Sequence, residues 1–82
     1  MILVDIYVPS VDKVYDFHLN EKSRISIVID EIAEMIGQKE HSQVVGKTSE
    51  FVLCEYSKKR VLDKESTLEK QGVKTGEKLL LV

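Results

Sequence analysis

The chain has 82 residues, of which 43% are hydrophobic and 32% charged, with a formal net charge of −2. This suits one globular domain over residues 1–82 with a single small core, and it gives no electrostatic footprint for nucleic acid. The longest apolar runs, such as Leu79-Leu80-Leu81-Val82, fall far short of the ~20 residues that cross a membrane, and a lone cysteine, Cys54, cannot form an internal disulfide.

The N-terminal "MILVDIYVPS" has no basic segment and meets Asp5 too early for a signal peptide. Together with the single cysteine, this points to a reducing, cytoplasmic setting. Ile2, Val4, Ile6 and Val8 alternate with Leu3, Asp5 and Tyr7, which predicts a strand whose second face is the wetter one. Pro9, Ser10 and Asp12 then favour a turn, and Tyr15, Phe17 and Leu19 alternate with Asp16 and His18 in a second strand. Two alternating strands joined by a short turn predict a hairpin.

From Ser23 the period changes to that of a helix. Ile25, Val28, Ile29, Ile32, Met35 and Ile36 share one apolar arc, with Asp30, Glu31, Glu34 and Gln38 opposite. Ser23 is the expected N-cap and Gly37 the expected stop, while Ile27 falls on the charged side and is expected to be exposed. Residues 41–50 read as a loop with a short extended piece at Val44-Val45. "EFVLCEY" predicts a third strand with both faces apolar: Phe51 and Leu53 on one, Val52, Cys54 and Tyr56 on the other. "SKKR" turns into a brief fourth strand at Val61-Leu62. Ser66 or Thr67 caps one short turn anchored by Leu68 and Val73, and Gly76 leads into a last strand with Leu79 and Leu81 alternating with Leu80 and Val82. The expected class is α+β, with one helix packed on a mixed sheet of four to five strands.

Little in this pattern points to catalysis. Gly46-Lys47-Thr48 is the end of a phosphate-binding loop, but that motif needs a glycine five residues earlier, where His41 stands, and a helix rather than a strand afterwards. The two histidines and one cysteine have no metal-site spacing, and Cys54 reads as a small packing residue in mid-strand. Asp30, Glu31 and Glu34 form a solvated helix face rather than an acid–base pair in a cleft. Lys58, Lys59 and Arg60 form a basic hairpin tip. We therefore assign no catalytic, cofactor-binding or metal-binding residue from the sequence, and no cofactor.

The layout resembles the ubiquitin-like β-grasp fold along nearly the whole chain. Its most specific stretch is "VLDKESTLEKQGVKTGEKLLLV", where Leu62, Leu68, Val73, Leu79 and Leu81 keep the family's apolar spacing, and "STLEKQGV" is similar to its T-L-x-x-x-x-(I/V) turn. Upstream, Leu19, Ile25, Val28, Ile32 and Gly37 match the second strand, helix and helix stop. The resemblance implies a last strand between the first and third, with Leu79 and Leu81 packing against Val4, Ile6, Phe17 and Ile32. It also implies an apolar sheet face away from the helix, carrying Leu3, Tyr7, Val52, Leu80 and Val82, with Cys54 adjoining. A contiguous patch of this kind marks a protein-binding site, or one covered by a second copy of the chain.

Ubiquitin and the sulfur carriers extend a Gly-Gly tail beyond this strand, whereas residues 1–82 end in Leu81-Val82. The ending Leu68 to Leu81, L-x-x-x-G-V-x-x-G-x-x-L-x-L, is similar to that of the YukD/EsaB family. Membership implies a cytosolic accessory or regulatory component of a Gram-positive type VII (WXG-protein) secretion system, a non-enzyme that binds secretion-machinery proteins. The alternatives are a covalent modifier or sulfur carrier whose tail lies beyond Val82, and a domain of a larger protein.

Overall fold

A computed structural model of the chain describes residues 1–39 and 50–82. Ile2–Val8 (β1) and Lys13–Leu19 (β2) form the expected hairpin, in register from Ile2 opposite Leu19 to Val8 opposite Lys13. Asp12 closes the turn at φ 51°, a left-handed conformation that aspartate tolerates better than most residues. After the helix Ile25–Lys39 (α1) come Leu53–Glu55 (β3), Arg60–Val61 (β4) and Lys78–Leu81 (β5). The five strands make one sheet in the order β2-β1-β5-β3-β4. β5 runs parallel to β1 and antiparallel to β3, so the last strand sits at the centre.

One face of the sheet carries the core. Val4, Ile6, Tyr15, Phe17, Leu53, Leu79 and Leu81 are buried there against Ile25, Val28, Ile29, Ile32 and Ile36 of α1. Ala33 is also buried and Met35 half-buried, so the apolar arc of the helix is the expected one, with Ile27 exposed. Fully burying one leucine contributes roughly 1.5–3 kcal/mol. Leu79 is therefore a large part of what holds a domain of this size together.

The helix ends differ from the sequence expectation. Ser23 does not cap α1. Arg24 takes the N-cap position, its carbonyl accepting from Ile27 and Val28, and the free N–H groups of Ile25 and Ser26 donate to the carbonyls of Ser66 (2.9 Å) and Lys64 (3.0 Å). A tertiary backbone contact thus replaces the local side-chain cap. Gly37 does not stop the helix either, which continues to Lys39. The Lys39 ammonium lies over the rings of Tyr15 and Phe17 at 5.4 and 5.8 Å and ties the last turn to β2.

The segment that receives the helix start has its own cap. Thr67 Oγ1 accepts from Lys70 N–H at 3.1 Å, and buried Leu68 and Val73 anchor it. Gly76, at φ 88°, lets the chain turn into β5 while its N–H donates to the Leu3 carbonyl at 2.7 Å. The expected extended piece at Val44-Val45 and the Gly46-Lys47-Thr48 motif lie outside the described residues, as does His41.

Candidate functional site

Strand pairing carries side chains onto two faces, and the face away from α1 can be read row by row. Along one row, Val14 lies opposite Tyr7, Tyr7 beside Leu80, Leu80 opposite Cys54 and Cys54 opposite Val61. Five apolar residues, one from each strand, thus cross the whole sheet. Val14 and Val61 are 55% and 61% exposed at its ends, and Tyr7, Leu80 and Cys54 are partly buried between them. Val52 and Val82 extend the patch at one side, joined by a pair of backbone hydrogen bonds of 2.7 and 3.0 Å.

Four of the expected residues, Tyr7, Val52, Leu80 and Val82, are therefore brought together, with Cys54 among them. Leu3 is not. The neighbouring row, Asp16–Asp5–Lys78, lies between it and the Tyr7–Leu80 pair, and Leu3 itself sits opposite His18. Thr75 Oγ1 bonds both backbone groups of Leu3, accepting from its N–H at 3.0 Å and donating to its carbonyl at 3.2 Å. The sequence reading missed Val14 and Val61. Val14 shares the parity of Asp16 and His18, a face that sequence alone marks as polar. Val61 stands on a strand too short to show alternation.

The charged row has its own geometry. Asp5 and Asp16 are directly opposed across β1 and β2, and like charges so placed repel. A hydrogen bond with Asp16 and its charge raise the Asp5 carboxyl above its ordinary 3.8, while Lys78 pulls in the other direction. Lys78 also places its ammonium 5.5 Å from the centre of the Tyr56 ring. At the rim, Tyr7 Oη donates to Asp12 Oδ1 at 2.9 Å, and this bond holds the phenol above its ordinary 10.0.

The other face of β3 departs from its expected apolar character. Glu55 points inward with Leu53 and is fully buried, although a carboxylate there was not foreseen. Its Oε1 lies 3.6 Å from Arg60 Nη2 and 3.9 Å from Lys58 Nζ, and neither carboxylate oxygen makes a hydrogen bond among the described residues. Arg60 donates in turn to the Gln71 carbonyl. Two of the three basic residues of the hairpin tip, Lys58 and Arg60, thus stand beside the buried carboxylate, and Lys59 between them takes a left-handed conformation at φ 51°.

Asp30, Glu31 and Glu34 are all exposed on α1. Among the described residues, no three histidine, cysteine, aspartate or glutamate side chains gather as a metal-binding group. No helix of the described residues is long and apolar enough to cross a membrane. What the geometry offers on this face is an apolar stripe beside a row of charges.

Solved structures reproduce this architecture. The EccD5 ubiquitin-like domain from Mycobacterium xenopi matches with a TM-score of 0.78 at 21% identity, over 99% of this chain and 91% of that one. The ubiquitin-like domain of Plasmodium falciparum Dsk2 matches at 0.75 and 18%, over 99% and 95%. That of the Arabidopsis thaliana protein At2g32350 matches at 0.72 and 16%, over 99% and 74%. At such identities these likenesses establish the ubiquitin-like fold alone. A comparison with curated proteins finds no match. The family model described as "WXG100 protein secretion system (Wss), protein YukD" matches residues 2–81, almost the full chain. The chain belongs to the YukD family, ubiquitin-like modules associated with type VII secretion.

Proposed function

We propose that this protein is a non-conjugating interaction module that acts in the cytoplasm as an accessory of the type VII secretion machinery. It binds a machinery protein through the sheet face away from α1 and catalyses no reaction. The observation that carries this reading is the apolar row Val14–Tyr7–Leu80–Cys54–Val61, continuous over five strands and extended by Val52 and Val82. Contiguous exposed apolar surface is costly to leave open to water, and on small proteins it marks contact sites. Leu3 takes part only as a separate contact beyond the charged row.

The test is affinity capture of the tagged protein and its Leu80→Glu variant from the native cell, with crosslinking. Eluates are split between native and denaturing conditions and identified by mass spectrometry. Secretion-machinery proteins should appear with the parent in the native half and be lost with Leu80→Glu, while the variant keeps its thermal melt because Leu80 faces outward. A ladder that survives denaturation without crosslinker would instead identify a covalent modifier. Equal capture of machinery by both proteins would move the binding site to another face.

A further inference from the structure

We propose that a second copy of this chain packs on the same sheet face, about a two-fold axis that runs along the strands between β1 and β5. The inference rests on the reading of that face as the binding face and names one occupant for it.

The argument is charge complementarity. Along the row Asp16–Asp5–Lys78–Tyr56, the β2 and β1 positions are acidic, and Lys78 of β5 holds its ammonium over the ring of Tyr56. Tyr56 stands one residue past β3, and its N–H donates to the Lys78 carbonyl. A two-fold axis parallel to the strands, midway between β1 and β5, exchanges those two pairs of positions. Each Asp5 then faces the Lys78 of the other copy, and each Asp16 faces its Tyr56. The same operation sets Tyr7 over Leu80 and Val14 over Cys54, so four of the five apolar positions are matched, with Val61 of β4 beyond the overlap, while Asp5 and Lys78 pair twice. An axis along the row would instead stack Tyr7 on Tyr7 and leave the opposed charges without counterparts.

The separation also fits. Packed sheets lie about 10 Å apart, a gap that a short aspartate and a long lysine span together. Aligned packing at roughly 30° is a common arrangement for twisted sheets, and an isologous contact of this kind closes at two copies. The contact also gives each Asp5 a cation on its open side. Within one chain Asp5 has Asp16 on one flank and Lys78 on the other, and the second copy places its own Lys78 across from it while its two carboxylates lie over Lys78 and Tyr56. A machinery protein that uses this face has to displace the second copy.

The experiment is analytical ultracentrifugation of the purified chain over a concentration series, with Asp5→Lys and Lys78→Asp separately and as an equimolar mixture. Circular dichroism checks that each variant is folded. The parent should form a reversible dimer. Each single variant places like charges across the axis twice and should weaken association by about tenfold or more. The mixture should recover association, because both contacts are then of opposite sign. The double variant Asp5→Lys/Lys78→Asp keeps the in-chain neighbours matched and should also dimerise. A parent that stays monomeric throughout, or a mixture that associates no better than the single variants, overturns the proposal. Because no machinery protein is present, neither result alters the capture experiment, so the two readings fail separately.

Discussion

Glu55 allows a sharp test of the energetics, because its surroundings oppose what an ion pair is usually taken to do. The carboxylate is fully buried on the core face of β3, and among the described residues its nearest cations stand at 3.6 Å (Arg60) and 3.9 Å (Lys58), with no hydrogen bond to either oxygen. At an effective dielectric of about 20, each attraction is about 4–5 kcal/mol. The Arg60 and Lys58 side chains are 41% and 65% exposed, and the solvent around them reduces that several-fold. Burying the carboxylate costs several kcal/mol, which the screened attraction offsets only in part.

Glu55→Leu, similar in volume and beside Leu53, should therefore leave stability unchanged or raise it by about 1–3 kcal/mol. Arg60→Met removes the nearer cation and the hydrogen bond to the Gln71 carbonyl, and should cost about 2–4 kcal/mol. The double variant should return close to Glu55→Leu, a coupling of about 2 kcal/mol or more. Urea denaturation of the four proteins measures these differences. Thermal melts should agree, at roughly 4–8 °C per kcal/mol for a domain of this size. A loss above about 2 kcal/mol in Glu55→Leu, with little effect of Arg60→Met, would show that the carboxylate is well satisfied and refute the reasoning.

Leu79→Ala, at a fully buried position, should lose about 2–5 kcal/mol in the same assay, whereas Leu80→Ala on the opposite face should lose under about 1 kcal/mol. Equal losses would mean that both faces of β5 are core. Thr67→Ala removes the cap on Lys70 N–H and should cost about 0.5–2 kcal/mol, with Thr67→Ser retaining most of it. Asp5 has a folded pKa raised above 3.8 by Asp16, so the folded chain holds that proton more tightly than the unfolded one. The resulting stability is complete below 3.8 and is lost as pH rises through the raised value. Asp16→Asn should therefore gain on the parent as pH rises from 3.8 towards neutrality, read from urea midpoints across pH, and parallel profiles would show that the two carboxyls do not interact.

Alternation made the inner face of the hairpin legible in advance, with Val4, Ile6 and Phe17 where period-two spacing places them. In β3 and β5 both faces are apolar, and it is the resemblance to the ubiquitin-like fold that puts Leu79 and Leu81 under the helix, where they lie. The helix ends were not legible, because the signals for them are local and the structure uses tertiary partners. Ser23 is well suited to a cap, yet the carbonyls of Ser66 and Lys64, some forty residues away, take up the helix N–H groups. Gly37 lies inside a helix whose last turn is held by Lys39 over two rings of β2. Glu55 was hidden for the opposite reason. Its parity with Leu53 was on view, but a carboxylate on a core face contradicts composition rules unless cations are known to stand beside it, and Arg60 is opposite only once the hairpin register is set.

The outer face shows most clearly what a single sequence withholds. Leu3 and Tyr7 share one strand parity, and that parity alone makes them look like one patch. Asp5 already stands between them in the strand, and the register of three strands adds Asp16 and Lys78 beside it, so that a full charged row separates Leu3 from the Tyr7–Leu80 pair. The same register joins Val14 and Val61, neither notable in its own strand, into one line with Leu80. A surface on a sheet runs across strands, perpendicular to the chain, and each row joins residues as far apart in sequence as Tyr7 and Leu80. Spacing along the chain can say which residues face outward. Only the register says which of them touch, and here it converts a scattered set of outward residues into an apolar stripe bordered by charges of opposite sign.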